Sequence, residues 1–259
     1  MAKVKKDQPV ILITNDDSIG APGIHALVKA VQGLGKVVVV APDKPQSGMG
    51  HAITLHDPLR LVKSSLYPGT EAYACSGTPV DCVKLAIFEL LGAKPDLLLS
   101  GINHGENSST NVLYSGTMSA AIEGAMEGIP SFGFSLADYA PDADFSASQH
   151  YIEVLLRQFF EKGFQAGICL NVNIPKLPLS DIKGLKFCKQ AHAYWTDRFE
   201  KRQDQYGRDY FWLTGEFADL DQRPDTDLHA LKEGYVSVVP THFDLTAYAH
   251  LNHFKSWEH

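Results

Sequence analysis

Val10-Ile11-Leu12-Ile13-Thr14-Asn15-Asp16-Asp17 is the stretch that decides the fold. Its first five residues are apolar at nearly every position, as in a strand whose two faces are both covered in a parallel sheet. The run ends in adjacent carboxylates and leads into a turn holding Gly20, Pro22 and Gly23. The strand therefore delivers two negative charges to a sheet edge. Like charges that close repel unless something positive lies between them. The next cationic side chain is Lys29, so a divalent cation is the natural counter-charge.

The same grammar continues along the chain. Ile24, Leu27, Val28 and Val31 share a helical face that Gly33 can end, and Val37 to Val40 reads as the next strand. Leu59 to Val62 and Glu71 to Cys75 read as short strands. Thr78, Pro79 and Asp81 open a helix, with Val83, Ala86, Ile87, Leu90 and Leu91 on one face. Asp96 to Ser100 and Phe132 to Phe134 are further strands, separated by a helix that starts after Ser115. Ser146 with Gln149 reads as a capping box on another helix, with Ala166 to Val172 as the strand after it. Alternating strands and helices imply an α/β fold: a Rossmann-like, doubly wound, mostly parallel sheet. Beyond Pro175 the character changes. Gly184 to Trp195 and Asp209 to Gly215 look like hairpin strands, and Gly234 to Val239 like a strand with one exposed face. The Phe211 and Trp212 neighbourhood reads as a subunit contact or as core, with core favoured for each residue singly. The expected division is a catalytic core over 1–175 and a smaller β-rich C-terminal extension over 176–259, carrying the oligomerisation elements.

The 259 residues suffice for one large domain with an elaboration. A net charge of −7 argues against a binder of nucleic-acid polymers, which would show a basic excess. It leaves room for small phosphates, because a bound metal supplies positive charge locally. Cys75, Cys82, Cys169 and Cys188 form no C-x-x-C pair, which speaks against zinc and for reduced thiols. The apolar run behind the basic N-terminus is cut off by Asn15-Asp16-Asp17, too early for a signal peptide, and no stretch reaches membrane-spanning length. The expected location is cytoplasmic, with no membrane partner.

Three loops follow three strands of the alternating half. They carry Asp16 and Asp17, then Ser47 within Gln46 to His51, then Asn103 within Gly101 to Asn107. In a parallel sheet all three leave the same carboxyl edge, where open α/β sheets bind ligands. Two carboxylates, a hydroxyl and an amide carbonyl make a hard oxygen set that suits Mg²⁺, Mn²⁺ or Ca²⁺ and not zinc. Taken singly, an acid pair can cap a helix, and Ser47 and Asn103 are ordinary turn residues. Their common edge is what favours a cation. Ser115-Gly116-Thr117 opens a helix and offers unpaired N–H groups to a phosphate, although Ser115 also reads as a plain N-cap. His51 and His104 lie in these loops, and each alone reads as structural. His250 and His253 read as exposed. There is no phosphate-binding P-loop motif, no G-x-G-x-x-G after the first strand, and Gly133 to Ala137 lacks the second glycine of a nucleophile elbow, leaving Ser135 as a strand-end residue.

Several blocks resemble one known family. Ile11-Leu-Ile-Thr-Asn-Asp-Asp-Ser-Ile-Gly-Ala-Pro-Gly-Ile24 is similar to the N-terminal signature of the SurE survival-protein family, the metal-dependent 5′/3′-nucleotidases. Ala41-Pro42-Asp43 with Gln46-Ser47-Gly48 and His51-Ala52 resembles its second block, and Ser76 to Val83 its third. Pro95-Asp96 through Asn103, Tyr114 to Thr117 and Ala120 to Gly124 resemble the next two. Gly234 to Val238 and Asp244-Leu245-Thr246 resemble the last. The resemblance covers nearly the whole chain in order. It implies a hydrolase of nucleoside 5′- and 3′-monophosphates, and in some members of short polyphosphate. It also implies one Mg²⁺ or Mn²⁺ per subunit and a homodimer or homotetramer with exchanged C-terminal elements. The family's metal ligands fall on Asp16, Asp17, Ser47 and Asn103, and its substrate contacts on Asn107 and Ser115. Ser18 stands where the family usually has Gly, Pro45 where Asn is common, and Ser119 where Gly is frequent.

The expected chemistry is in-line displacement at phosphorus, with a cation offsetting charge and Asp16 or Asp17 accepting a proton from water. Asn107, Ser115 and the amides of Gly116 and Thr117 are expected to orient the phosphate. Two other readings exist. One acid could act as nucleophile through a phosphoaspartate, although such acids are usually two apart in sequence. A non-catalytic nucleotide-binding module would leave the acid pair unexplained.

Overall fold

A computed structural model describes residues 8–258. The first strand, β1 (Val10–Thr14), leads through α1 (Pro22–Ala30) to β2 (Lys36–Pro42). Then come β3 (Leu61–Lys63), β4 (Glu71–Cys75), α2 (Pro79–Leu85) and β5 (Leu97–His104). A 3-10 turn over Ser109–Leu113 precedes α3 (Gly116–Met126), followed by β6 (Ser131–Leu136), α4 (Ser146–Lys162) and β7 (Cys169–Ile174). The remainder holds β8 (Leu185–Phe187), β9 (Ala193–Gln203), β10 (Asp209–Asp219), α5 (Asp227–Lys232), β11 (Val236–Thr241) and α6 (Tyr248–Lys255).

Nine strands form one sheet in the order β3-β4-β2-β1-β5-β6-β7-β11-β8. β4, β2, β1, β5, β6 and β7 run parallel, whereas β3 and β11 pair antiparallel to their inner neighbours. The chain winds outward from β1 to one side, then returns to β5 on the other. The β1–β5 boundary is thus the switch point of an open α/β sheet, where the crevice forms.

Strand alternation explains the two layers. Ile11, Ile13, Val39, Leu97 and Leu99 belong to one buried cluster with Ile24, Leu27 and Val28 of α1 and Ile152, Leu155 and Leu156 of α4. Leu12, Val38, Val40 and Leu98 belong to a second, with Cys82, Val83 and Ala86 on the α2 side and Ala120 of α3. Each fully buried Leu or Ile contributes about 1.5–3 kcal/mol, so the central strands anchor the crevice they end in.

The second helix opens as its sequence implies. Thr78 accepts from the Asp81 N–H and Asp81 accepts from the Thr78 N–H, a complete capping box behind Pro79. Its last stretch, Ala86–Leu91, loosens into a π-helical turn ended by Gly92 at φ +58°.

Three readings need correction. Ser146 and Gln149 form no capping box. The Ser146 N–H and hydroxyl both donate to Asp144, and the Gln149 amide donates to the Ala26 carbonyl. Gly184 to Trp195 is not one strand. β8 is a three-residue strand in the main sheet, and the hairpin is β9 with β10, paired from Ala193↔Asp219 to Gln203↔Asp209. Phe211 and Trp212 are not core: each is 58% exposed on that hairpin, which pairs with no other strand. The short helices α5 and α6 carry too few periodic residues to stand out in the sequence.

Beyond residue 175, β8 and β11 are hydrogen-bonded into the main sheet. The part that stands apart is the two-stranded β9–β10 ribbon. His250 and His253 are exposed on α6.

Candidate active site

The three central strands β2, β1 and β5 are neighbours, and their carboxyl ends deliver the predicted ligands side by side. Asp16, Asp17, Ser47 and Asn103 line a single cavity of about 360 Å³. Asn107 and Ser115 line it too, as do His104, Glu106, Tyr114, Tyr139 and Trp195.

Asp16 is buried, and the hydroxyl of Thr117 donates to its Oδ1. Burial pushes its carboxyl up to about 6, reinforced by the charge of Asp17 and opposed by Thr117. Asp17 is also raised by burial, with the His104 N–H, 3.3 Å from Oδ2, pulling the other way. Burial raises Glu106 as well. No Lys or Arg is among the residues lining the cavity. This negative charge therefore has no protein counter-ion there.

Asn103 enters on an irregular stretch of β5, where the pairing with β6 shifts register between Ser100 and Asn103. Its amide nitrogen donates to the carbonyls of His104 (3.2 Å) and Gly105 (2.7 Å). The oxygen is thereby left as the ligating end of the amide.

The loop carrying Ser47 is pinned on both sides. The Gln46 N–H donates to the Asp16 carbonyl at 2.7 Å, and the Gly50 N–H to the Tyr114 carbonyl at 3.1 Å. Nε2 of His51 lies 2.9 Å from Oε2 of Glu123, whose other oxygen accepts from Lys84. The turn after the acid pair is held by Asn15, which donates to the Ser18 carbonyl at 2.8 Å. Ser18 has φ +90°, a region that favours glycine, so the departure from the family's residue falls on a strained position.

On the phosphate side, Ser115 is the N-cap of α3 and accepts from the Met118 N–H, leaving its hydroxyl hydrogen to donate. Ser119 donates to the Ser115 carbonyl, a bond the more frequent glycine would lack. Gly116 and Thr117 do not line the cavity. Gly116 instead permits close approach: a Cβ there would lie 2.7 Å from Cβ of Asp16. Thr117 is fully buried and serves Asp16.

The sequence reading missed the frame behind Asn107. Its amide donates to Ser135 Oγ, its N–H to Asn173 Oδ1, and its carbonyl accepts from Asn171, which is in turn bonded to Asn173. The signal was there: two asparagines two apart in an otherwise apolar strand share one face and need partners when buried. One hydrogen of the Asn107 amide nitrogen remains for a ligand.

The donor set fits a hard dication: two carboxylates lacking a counter-ion, an amide oxygen freed by its nitrogen's bonds, and a hydroxyl. Among the described residues, no group of three or more His, Cys, Asp or Glu side chains could hold a metal. A cation here therefore depends on Ser47 and Asn103 as well as the acids.

A family model described as survival protein SurE matches residues 11–197. The chain belongs to the SurE family. A SurE-family protein named 5′-nucleotidase SurE from Christiangramia forsetii is 54% identical over 257 residues, covering 98% of both chains. One of the same name from Moorella thermoacetica is 47% identical over 242 residues, covering 93% of each. The crystal structure of a SurE protein from Aquifex aeolicus matches with a TM-score of 0.84 at 39% identity, covering 97% of this chain and 100% of that one. The α/β architecture with its β-rich extension is thus the SurE fold.

Proposed function

We propose that this chain is a metal-dependent phosphomonoesterase that hydrolyses nucleoside 5′-monophosphates, with activity on 3′-monophosphates and short polyphosphate. Supporting this are the relatives named 5′-nucleotidase and the oxygen-lined cavity at the switch point. The observation that carries the reading is a buried acid, Asp16, beside a half-buried one, Asp17, facing a cavity whose lining has no Lys or Arg, next to the N-cap of a helix.

Asp16, Asp17, Ser47 and Asn103 would hold one Mg²⁺ or Mn²⁺. When bound, such an ion offsets charge on the phosphoryl group and acidifies water. The chain's own residues do the rest. Ser115 and Asn107 donate to phosphoryl oxygens, beside the positive end of α3. Asp16 or Asp17 accepts the proton of the attacking water. Thr117 and the His104 N–H hold the two carboxylates in place, so little reorganisation accompanies the displacement.

Residues 1–175 act as the catalytic core in this reading, and 176–259 as the extension. Homodimer or homotetramer formation is supported by apolar exposure on the hairpin and on α6, with Phe199 68% exposed and Tyr248 66%. Among the described residues no helix is long and apolar enough to cross a membrane. A cytoplasmic location is supported by four free cysteines.

The test is Asp17→Asn assayed on AMP in Mn²⁺, with circular dichroism as the folding control. Hydrolysis is expected to vanish while the spectrum is retained. Chelation should silence the unaltered protein, and Mn²⁺ or Mg²⁺ should restore it. Normal turnover by the variant, or in chelator, overturns the proposal.

A further inference from the structure

The acid-lined cavity has a neighbour of opposite charge on the same sheet edge. A cavity of about 460 Å³ lies past the carboxyl ends of β2 and β4, and Lys44, Gln46, Asp57, Arg60 and Ser76 are in its lining. Its size falls within the roughly 300–1,000 Å³ of small-molecule sites. The loop after β2 is the partition between the two. Gln46 and Met49 line this cavity, whereas Ser47 and Gly48 line the catalytic one. The Met49 N–H donates to the Gln46 carbonyl at 3.4 Å, and Gly48 takes φ +73°, so the loop turns tightly between them. No lining residue is shared by the two cavities.

In a chain of net charge −7, two cations on one cavity are informative. Lys84, Lys94, Lys176 and Lys189 each meet a carboxylate. Among the described residues, Nζ of Lys44 and the guanidinium of Arg60 have no ion-pair or hydrogen-bond partner. Asp57, the one acid in the lining, pairs with neither. The wall that carries Arg60 is fixed: its N–H donates to Ser76 Oγ and the Ser76 N–H to its carbonyl, both at 3.0 Å. Ser76 keeps its hydroxyl hydrogen to donate, and the Gln46 side-chain amide has no partner either. Asp81, at the start of α2, is already bonded by the Thr54 N–H and hydroxyl and by the Thr78 N–H. The free groups are therefore donors with a positive excess, which suits an oxyanion: a planar fork from Arg60, a point charge from Lys44 and two neutral donors.

We propose that Lys44, Arg60, Ser76 and Gln46 form a second oxyanion site, separate from the catalytic cavity, which takes a phosphate dianion, free or carried by a metabolite, and steadies the Ser47 loop. Two like charges bordering one cavity repel, and a dianion between them turns that repulsion into attraction. Lys44 stands three residues before Ser47, while Arg60 and Ser76 adjoin β3 and β4. The anion thus ties the loop to the sheet from the side away from Asp16. A loop held in place presents Ser47 to the cavity with less ordering left to do when a cation arrives. Coupling of this kind is reciprocal: the anion tightens the cation by the factor the cation tightens the anion.

The experiment titrates inorganic phosphate into the full-length protein by calorimetry, in chelator, where the bare acids of the catalytic cavity repel it. One saturable site is expected. Arg60→Ala and Lys44→Ala should each weaken it about tenfold to a hundredfold, the range for losing one charge-assisted hydrogen bond. Arg60→Lys should weaken it less than Arg60→Ala, and Ser115→Ala should leave it unchanged, with circular dichroism as the folding control for each. Glucose 6-phosphate distinguishes the sources: tighter binding than inorganic phosphate assigns the site to a phosphorylated metabolite, and weaker binding to the free ion. No saturable binding, indifference to Arg60, loss in Ser115→Ala, or equal binding of the dicarboxylate malonate overturns the phosphate site. A second titration reads the coupling. Saturating sulfate, at constant ionic strength, should tighten Mn²⁺ by about fivefold or more in the unaltered protein and not in Arg60→Ala. Unchanged Mn²⁺ affinity overturns the action on the loop. Neither titration involves turnover, so both stand apart from a failure of the phosphomonoesterase reading, which shows as absent hydrolysis of AMP.

Discussion

Glu123 of α3 and His51, four residues beyond Ser47, meet with 2.9 Å between Oε2 and Nε2. The helix that offers its N-cap to the cavity also tethers the loop that brings the Ser47 hydroxyl to it. Lys84 of α2 completes the cluster on the other carboxylate oxygen. Burial alone would push the Glu123 carboxyl up, but the bonds from His51 and Lys84 hold it below its ordinary value of 4.5. A depressed carboxylate contributes stability that is present above its unfolded value and lost as pH falls through the folded one. Urea melts should therefore show the unaltered protein losing more stability than Glu123→Gln as pH drops below about 4.5. Near neutrality the variant should be weaker by about 1–3 kcal/mol. Parallel pH curves for the two proteins would contradict this.

The sequence reading gives Thr117 a phosphate contact through its amide, and in the structure its hydroxyl donates to Asp16. Thr117→Val removes that donor at nearly constant volume. Mn²⁺ affinity, measured by titration calorimetry, should weaken about tenfold to a hundredfold, the usual range for losing a group that orients a ligand. Thr117→Ser should restore most of it. Equal affinity in the valine variant would show that Asp16 needs no such support.

Ser18 holds φ +90° in the turn behind the acid pair. A non-glycine residue there stores of the order of 1–3 kcal/mol, partly offset by the greater chain entropy of an unfolded glycine. Ser18→Gly should raise stability by about 1 kcal/mol, or about 2–4 °C in Tm for a chain of this size. A lower Tm would mean that the serine contributes more than it strains.

The central architecture was legible because β1, β2 and β5 are short apolar runs ended by polar turns, and parallel pairing puts all their carboxyl ends on one edge. The convergence of Asp16, Asp17, Ser47 and Asn103 on one cavity followed from that single inference. What stayed hidden depended on contacts distant in sequence. Asn171 and Asn173 matter only because β7 lies beside β6 and faces Asn107. Trp195 looked like any strand aromatic until Asn111 was found beside it. Phe211 and Trp212 were misjudged because apolar character says that a side chain avoids water, not whether its own chain covers it.

The donors come from the ends of three neighbouring strands, and no single stretch of chain holds them all. A nascent polypeptide that has not yet extruded β5 therefore has no place to seat a cation, however well its first strands pair. Nucleotide hydrolysis in this protein therefore requires the β2–β1–β5 centre of the sheet to be paired, so activity reports on that pairing as well as on the site.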